Sequence, residues 1–314
     1  MIWLSVAVRI VANPFSNVFQ KLLTQRSANP LVIIGITHAL LSVACVPALF
    51  RIPVPEAASF WTNISICALL AVTANVLIVE ALRLSDLSIL GPINAWKPVV
   101  SLVPGMLLLH EFPGWMGVCG IALIVAGSYL IVDGTPREPW RSLRARFLMD
   151  RGIQCRFAAL VLSGAEAVFL KRALWASSAT ATFAWWSILG FAVSGIATAS
   201  LIGAGNLNSP VVGNERTSAT NILQHEAGVF QRSRFTYLLL ATTTGLMQFC
   251  TIVTLNRIQV GSALALFQTS ALISVFLGSK IFDEPHFLRR MAGAAVMVAG
   301  AVLIILGDQS GGAS

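Results

Sequence analysis

A lysine lies in the middle of a long apolar run of the sequence. Lys97 is part of the segment GPINAWKPVVSL (91–102), and the apolar run continues to residue 109. Asn94 precedes Lys97 by three residues, so the two side chains share one face of a helix. Pro98 removes a backbone hydrogen bond from the turn before it. A bent helix would present Asn94, Lys97 and a bare carbonyl at one place, where a carboxylate or phosphate group would fit.

Other polar side chains fall near the centres of apolar segments. An ionisable side chain at the centre of a bilayer costs at least about 2.5–3.5 kcal/mol, so these positions are candidates for a substrate or coupling site. Trp96 joins them because its ring could stack on a ligand, with packing against lipid or protein as the equal alternative. The complete set of candidates is Asn13, His38, Asn75, Asn94, Trp96, Lys97, Glu166, Gln248 and Gln268.

Glu166 and His38 each have two interpretations. Glu166 could form a buried ion pair with Lys97 that only fixes the packing of helices. Because burial favours the protonated form of a carboxylic acid, Glu166 could instead exchange protons. His38 could titrate near neutral pH, but a lone histidine without further ligands at metal-binding spacing favours a helix–helix hydrogen bond.

The composition shows which medium these residues lie in. The chain has 314 residues, of which 56% are hydrophobic and 11% are charged, and its mean hydropathy is +0.79. Soluble domains carry about 25% charged residues, so we expect a multi-pass protein integral to the membrane. We attribute the net charge of +8 to basic loops beside anionic lipid headgroups, and not to nucleic-acid binding, for which no motif is present.

Ten segments are long and apolar enough to cross a bilayer as helices, which takes about 20 residues each. Two longer connections separate some of them, namely a basic linker at 135–153 and a polar loop at 204–234. The predicted spans lie near 2–22, 31–50, 60–82, 87–109, 115–132, 154–176, 181–203, 235–256, 261–282 and 289–307.

The sequence repeats itself. Residues 82–134 match residues 255–307 at a shift of 173, and NVFQKLL (17–23) matches AVFLKRA (167–173) at a shift of 150. The chain is therefore predicted to consist of two five-span halves, 1–134 and 154–308. An odd number of spans inverts the second half relative to the first, and inverted repeats are typical of secondary transporters.

The segments 80–132 and 254–305 resemble EamA domains of the drug/metabolite transporter superfamily. The features that carry the resemblance are the small residues at the start of the fourth span, Pro98, the acidic residues Glu111 and Glu284, and a glycine-rich fifth span. The resemblance implies an all-α membrane protein with ten helices in two inverted EamA repeats around a central cavity. It places spans 1–4 and 6–9 at the cavity and implies secondary transport of small solutes, often export.

We therefore expect a secondary active transporter that exports small metabolites by alternating access, with protons or another ion as coupling partner and a polar site around Lys97. Two alternatives stay open: a broad-specificity exporter of drugs and hydrophobic cations, and a lipid-headgroup flippase. No enzymatic motif or metal-ligand spacing is present, so we expect neither enzymatic activity nor a cofactor. We expect a bacterial inner-membrane protein that is a monomer or a homodimer.

The orientation in the membrane has two opposed predictions. Lys and Arg concentrate in the loops after odd-numbered spans, which places these loops in the cytoplasm and both termini outside. The resemblance implies both termini in the cytoplasm. In the charge count, the few basic residues assigned to the opposite face are Arg9, Arg51, Lys171, Arg172 and Arg257.

Overall fold

Helices without strands form the described part of the chain, which in this computed structural model comprises residues 2–87, 90, 93, 96–109, 114–131, 150–203 and 219–311. Asn94, Glu111, most of the linker at 135–153 and residues 204–218 lie outside it. The helices are α1 (Ile2–Gln25), α2 (Pro30–Leu49), α3 (Ala58–Leu84), α4 (Lys97–Leu109), α5 (Trp115–Ile131), α6 (Arg151–Trp175), α7 (Ala179–Gly203), α8 (Ala219–Leu255), α9 (Val260–Phe267), α10 (Ser270–Phe282) and α11 (Phe287–Gly311).

Eight helical segments of the described residues are long and apolar enough to cross a membrane. They are α1, α2, α3, α6, α7, α8, the combined segment of α9 and α10, and α11. Shorter apolar stretches at Val99–Leu108 and Trp115–Ile124 belong to α4 and α5. These segments agree with the predicted spans in order and position, while the number of ten spans stays a prediction.

Helix α8 begins earlier than predicted. The polar stretch 204–234 is predicted as a loop, with room for at most a short amphipathic piece, yet the helix starts at Ala219 and runs for 37 residues to Leu255. At about 1.5 Å per residue it is about 55 Å long, which exceeds the hydrocarbon core of about 30 Å. The polar part is held by tertiary contacts, such as the hydrogen bond of 3.1 Å from Asn29 N to Glu226 Oε1. The predicted loop was therefore wrong over residues 219–234.

The ninth predicted span, 261–282, is interrupted. Gln268 and Thr269 separate α9 from α10. Gln268 Nε2 donates to Leu264 O at 2.7 Å, and Thr269 Oγ1 donates to Leu266 O at 2.8 Å. Such bonds from side chains to the backbone compete with the helical ladder. Hydropathy alone does not reveal this competition, which is why a continuous helix was expected.

The start of α10, directly after this interruption, corresponds in the repeat to the start of α4. Lys97 is the first residue of α4 and Ser270 is the first residue of α10, and the two positions differ by the repeat shift of 173. Pro98 follows Lys97, whereas Ala271 follows Ser270. The second half therefore begins a new helix at the matched position without a proline.

The helices pack in pairs that correspond under the repeat. Helix α1 packs on α8 and α3 packs on α6, while α2 packs on α7 and α5 packs on α11. Exchanging the two halves of the chain replaces α1 by α6 and α3 by α8, which converts the first pair into the second. The same exchange leaves the pairs α2–α7 and α5–α11 unchanged.

Helices α5 and α11 approach each other at glycines. A Cβ atom added to Gly300 would lie 2.5 Å from Gly120 O, and one added to Gly127 would lie 2.8 Å from Gly293 O. Small residues permit such close contacts between membrane helices. The glycine-rich faces of the fifth and tenth predicted spans therefore pack on each other within one chain.

The substitution Gly300→Ala is expected to lower the free energy of unfolding by about 1–3 kcal/mol, the usual cost of an overpacked contact. The added methyl group would meet backbone atoms of Gly120 and Ile124, which cannot move independently of their helix. Thermal unfolding of the purified protein in detergent measures the effect.

The matched control is Gly195→Ala in α7, where no atom lies within 4 Å of the added Cβ. This variant should be as stable as the wild type or more stable, because alanine exceeds glycine in helix propensity by about 1 kcal/mol. Equal melting temperatures for the two variants would contradict the close glycine contact.

Candidate functional site

A polar cleft lies among the helices α1, α3, α6 and α8. The space in it that no atom fills is about 730 Å³, including the part open to solvent. We call it the central cleft. Its lining residues are Arg9, Asn13, Ser16, Asn17, Gln20, Ala74, Asn75, Ile78, Lys97, Arg156, Ser163, Glu166, Ala167, Leu170, Met247, Gln248, Thr251 and Leu264.

The central cleft brings together five of the residues predicted from the sequence. They are Asn13, Asn75, Lys97, Glu166 and Gln248. These residues belong to five different helices, α1, α3, α4, α6 and α8. Depth in the predicted spans therefore identified side chains that share one space, while their part in binding stays a prediction.

Three further predicted residues are not among those that line the cleft. The ring centroid of His38 lies 4.6 Å from that of Trp186, and in the described part of the chain His38 Nδ1 has no hydrogen-bond partner. The ring of Trp96 packs 6.4 Å from that of Phe157. Gln268 is buried in the interruption between α9 and α10. Their depth was read from the sequence, but the helix face on which each side chain lies depends on tertiary packing.

Glu166 bonds to a neighbouring helix of the cleft. Its Oε1 accepts a hydrogen bond of 3.2 Å from Gln248 Nε2 and a weaker contact of 3.9 Å from Cys67 Sγ. Lys97 lines the same cleft, but among the described contacts no ion pair within 4.0 Å joins it to Glu166. The direct ion pair considered from the sequence is therefore absent from the described contacts, and Lys97 contributes its charge to the cleft wall.

Two arginines outside the predicted set also line the cleft. The guanidinium carbon of Arg9 lies 4.3 Å from the centroid of the Phe267 ring, and the Arg9 residue is 5% exposed. Arg156 is 3% exposed, and its Nε donates to Leu90 O at 3.2 Å. The assignment of Arg9 to one surface of the membrane was wrong. The count of Lys and Arg used only the position of each residue along the chain and not the side of the helix on which it lies.

The spacing of polar residues on α1 could have revealed Arg9. Arg9, Asn13, Ser16 and Gln20 follow one another at intervals of four, three and four residues, which is the spacing of one face of a helix. All four line the central cleft. A search for polar stripes, in addition to isolated polar residues, would have selected this face.

The cleft is lined by positions that match under the repeat. On α1 and α6 the shift is 150, and on α3 and α8 it is 173. The matched lining pairs are Asn13/Ser163, Ser16/Glu166, Asn17/Ala167, Gln20/Leu170, Ala74/Met247, Asn75/Gln248 and Ile78/Thr251. The charge differs within one pair, since Glu166 corresponds to Ser16. The geometry of the wall is repeated, but its charge is not.

A buried ion pair lies next to the cleft at one end of the bundle. Lys21 Nζ lies 2.8 Å from Glu284 Oε1, which also accepts a hydrogen bond of 2.7 Å from Leu87 N. Arg290 Nη1 lies 3.7 Å from Glu284 Oε2. This cluster joins α1 to the connection between α10 and α11. It lies just beyond the cleft, because Lys21 directly follows the lining residue Gln20.

The second half of the chain repeats part of this cluster. Lys21 Nζ lies 3.5 Å from Ser85 O, and Lys171 Nζ lies 3.0 Å from Ile258 O. Lys171 is 150 residues after Lys21, and Ile258 is 173 residues after Ser85. The contact is therefore made at matched positions in both halves.

The substitution Glu284→Gln is expected to destabilise the protein by about 3–5 kcal/mol, because it leaves the buried charge of Lys21 without its carboxylate. The matched control is Glu80→Gln, which breaks the more exposed pair with Arg83 and should cost only about 0–1 kcal/mol. Both values follow from thermal or denaturant unfolding in detergent. A melting temperature of Glu284→Gln equal to that of Glu80→Gln would show that the buried pair does not stabilise this end of the bundle.

Comparison with known proteins gives one family and one fold. Residues 2–133, which comprise α1 to α5, match the family described as EamA-like transporter family. No curated protein matches the sequence. A solved crystal structure is similar over 98% of this chain and 97% of that chain, with a TM-score of 0.61 and 15% sequence identity. At this identity the likeness shows the fold alone.

Proposed function

We propose that the chain is a secondary active transporter of small metabolites, because residues 2–133 match the EamA-like transporter family. It is an integral membrane protein with several helical spans. In our proposal, ten spans form two inverted five-helix repeats in a bacterial inner membrane. The substrate passes through the central cleft by alternating access, in the direction of export.

The observation that carries this proposal is the pairing of matched positions in the cleft wall. Suppose that each half can adopt either of two conformations. If the two halves exchange their conformations, the cleft closes on one side of the membrane and opens on the other. Inverted repeats provide two such states of similar energy. The matched pairs Asn13/Ser163 and Asn75/Gln248 are what this mechanism requires, because both halves must border the same substrate path.

The helix starts at Lys97 and Ser270 support the same mechanism. Transporters often bind substrates where membrane helices are interrupted, because the interruption exposes backbone polar groups to a cavity. Ser270 Oγ accepts a hydrogen bond of 3.3 Å from the lining residue Asn13, and Lys97 lines the cleft itself. Both helix starts therefore lie at the substrate path that we propose.

The charge of the cleft distinguishes between substrate classes. Among its described lining residues, Arg9, Lys97 and Arg156 are cations and Glu166 is an anion. An export path for hydrophobic cations would place a cationic substrate beside three positive side chains, so this alternative is disfavoured. A lipid-headgroup flippase needs a cleft that opens sideways to lipid, and no observation in the described residues favours it.

Replacement of Lys97 tests the site. We expect an acidic metabolite to raise the melting temperature of the wild type, because a ligand that binds only the folded state stabilises it. The same metabolite should have little effect on Lys97→Ala. The measurement is a thermal-stability screen in detergent with anionic, zwitterionic and cationic metabolites.

The control for this screen is Lys280→Ala, which removes an exposed lysine of α10 and should retain the wild-type response. If only cations or lipophilic compounds stabilise the protein, and do so equally in Lys97→Ala, the small-metabolite site around Lys97 is refuted and a multidrug exporter is favoured.

Glu166 is the proposed proton-coupling residue. It lies in the cleft wall, is 9% exposed and accepts a hydrogen bond from Gln248, so gain and loss of its proton would change the charge that the substrate meets. In proteoliposomes with an imposed pH gradient, we expect the wild type to transport the stabilising metabolite at a rate that depends on pH. The variant Glu166→Gln should exchange the metabolite without this pH dependence. Wild-type pH dependence in Glu166→Gln would exclude Glu166 as the coupling residue.

A further inference from the structure

Two buried nitrogens of Arg9, which lines the central cleft, have no hydrogen-bond partner in the described part of the chain. The residue is 5% exposed, and the two nitrogens are Nε and Nη1. A guanidinium group carries five N–H donors and cannot lose its charge in a protein. Because a buried charged donor without an acceptor is costly, this arrangement points to an acceptor that comes from outside the chain.

The carboxylate in the described cleft wall does not fill this role. Glu166 accepts its hydrogen bond from Gln248, and among the described contacts no ion pair within 4.0 Å joins it to Arg9. With Arg9, Lys97 and Arg156 opposed by Glu166, the described wall has an excess of two positive charges. Buried charges are normally paired, so the excess predicts a ligand with negative charge.

The surroundings of Arg9 determine how such a ligand would bind. The guanidinium carbon of Arg9 lies over the Phe267 ring, 4.3 Å from its centroid, which is a cation–π contact. This contact does not use the N–H donors as ordinary hydrogen bonds, and Nε and Nη1 find no acceptor among the described residues. The N–H groups of a guanidinium match two oxygens of a carboxylate or phosphate group. Arg156 differs, because its Nε already donates to Leu90 O at 3.2 Å.

We propose that Arg9 binds the acidic group of a small organic anion, either a carboxylate or a phosphate, and thereby defines the substrate class of the cleft. Lys97 and Arg156 can neutralise a second negative charge on the ligand. Dianions such as dicarboxylates and phosphate monoesters therefore fit best. The amides of Asn13 and Asn75 line the same wall and can bond to hydroxyl groups of the ligand. This inference rests on the proposed function, since it takes the central cleft as the substrate path.

The test compares Arg9→Gln, Arg9→Lys and the control Arg51→Gln, which removes the same charge from an exposed loop position. Equilibrium binding of radiolabelled succinate and of glycerol 3-phosphate is measured with the purified full-length protein in detergent. Neutral succinamide and the cation tetraphenylphosphonium serve as competitors. The two labelled probes distinguish a carboxylate ligand from a phosphate ligand.

We expect at least one of the two anions to bind the wild type and Arg51→Gln equally. Binding should weaken at least about tenfold in Arg9→Gln, as expected for the loss of one charge-assisted hydrogen bond. It should weaken less in Arg9→Lys, which keeps the charge but loses the planar fork. Succinamide and tetraphenylphosphonium should not compete. Unchanged anion binding in both Arg9 variants, or competition by the cation, would overturn the proposal.

The melting temperatures without ligand separate binding from a purely structural role. If Arg9 awaits a ligand, Arg9→Gln should be at least as stable as the wild type, because a buried charge without a partner is removed. If Arg9 supports the fold, Arg9→Gln should melt at a lower temperature and Arg9→Lys should recover part of the loss, and this pattern with unchanged anion binding refutes the proposal.

The same proteins in proteoliposomes keep this inference distinct from the proposed function. Anion binding that depends on Arg9 without any flux of the bound anion would refute transport but leave the binding site intact. Flux of other solutes that is equal in the wild type and Arg9→Gln would refute the Arg9 site but leave transport intact.

Discussion

Burying charged side chains inside a bundle of membrane helices is the constraint on which the rest of this structure depends. The described wall of the central cleft contains Arg9, Lys97, Arg156 and Glu166, and lipid offers none of them a partner. The charges must therefore face one another, a ligand or water across a common space. Helices α1, α3, α6 and α8 provide this space, since α1 packs on α8 and α3 packs on α6.

The two halves contribute the same geometry but different chemistry to this space. Matched positions on α1 and α6 both line the cleft, yet Ser16 corresponds to Glu166 and Asn13 corresponds to Ser163. In the proposed mechanism, the repeated geometry allows two states of similar shape, while the unequal side chains set the charge that the substrate meets in both. Outside the cleft, Lys21 and Lys171 make the same contact at matched positions of the two halves. Helices α5 and α11, which also correspond to each other, pack closely at their glycines.

The apolar runs of the sequence predict most of the helices, and the position of polar residues within these runs predicts part of the site. Apolar runs located the helices because the length of a span is set by the bilayer, and polar residues at mid-depth included Asn75 and Glu166 of the cleft wall. The helix face of His38 was not predictable, because it depends on packing against Trp186. Arg9 was missed because its charge was counted along the chain, although its spacing from Asn13 placed both on one face.

Two features of the backbone were beyond the reach of hydropathy. The helical part of α8 between residues 219 and 234 is polar and is held by contacts to the turn after α1, such as the hydrogen bond from Asn29 N to Glu226. The interruption between α9 and α10 lies at Gln268 and Thr269, whose side chains bond to carbonyl groups of α9. Both depend on partners that a scan of apolar runs does not include.

Access to the central cleft from the two sides of the membrane tests alternating access most directly. The measurement places a single cysteine at the lining position with Ser163→Cys, in a variant whose five natural cysteines are replaced by alanine. A membrane-impermeant maleimide is then added to right-side-out and to inside-out vesicles. Alternating access predicts labelling from both sides, with proportions that shift when a transported solute is added. Labelling from one side alone, with and without solute, would contradict alternating access through this cleft.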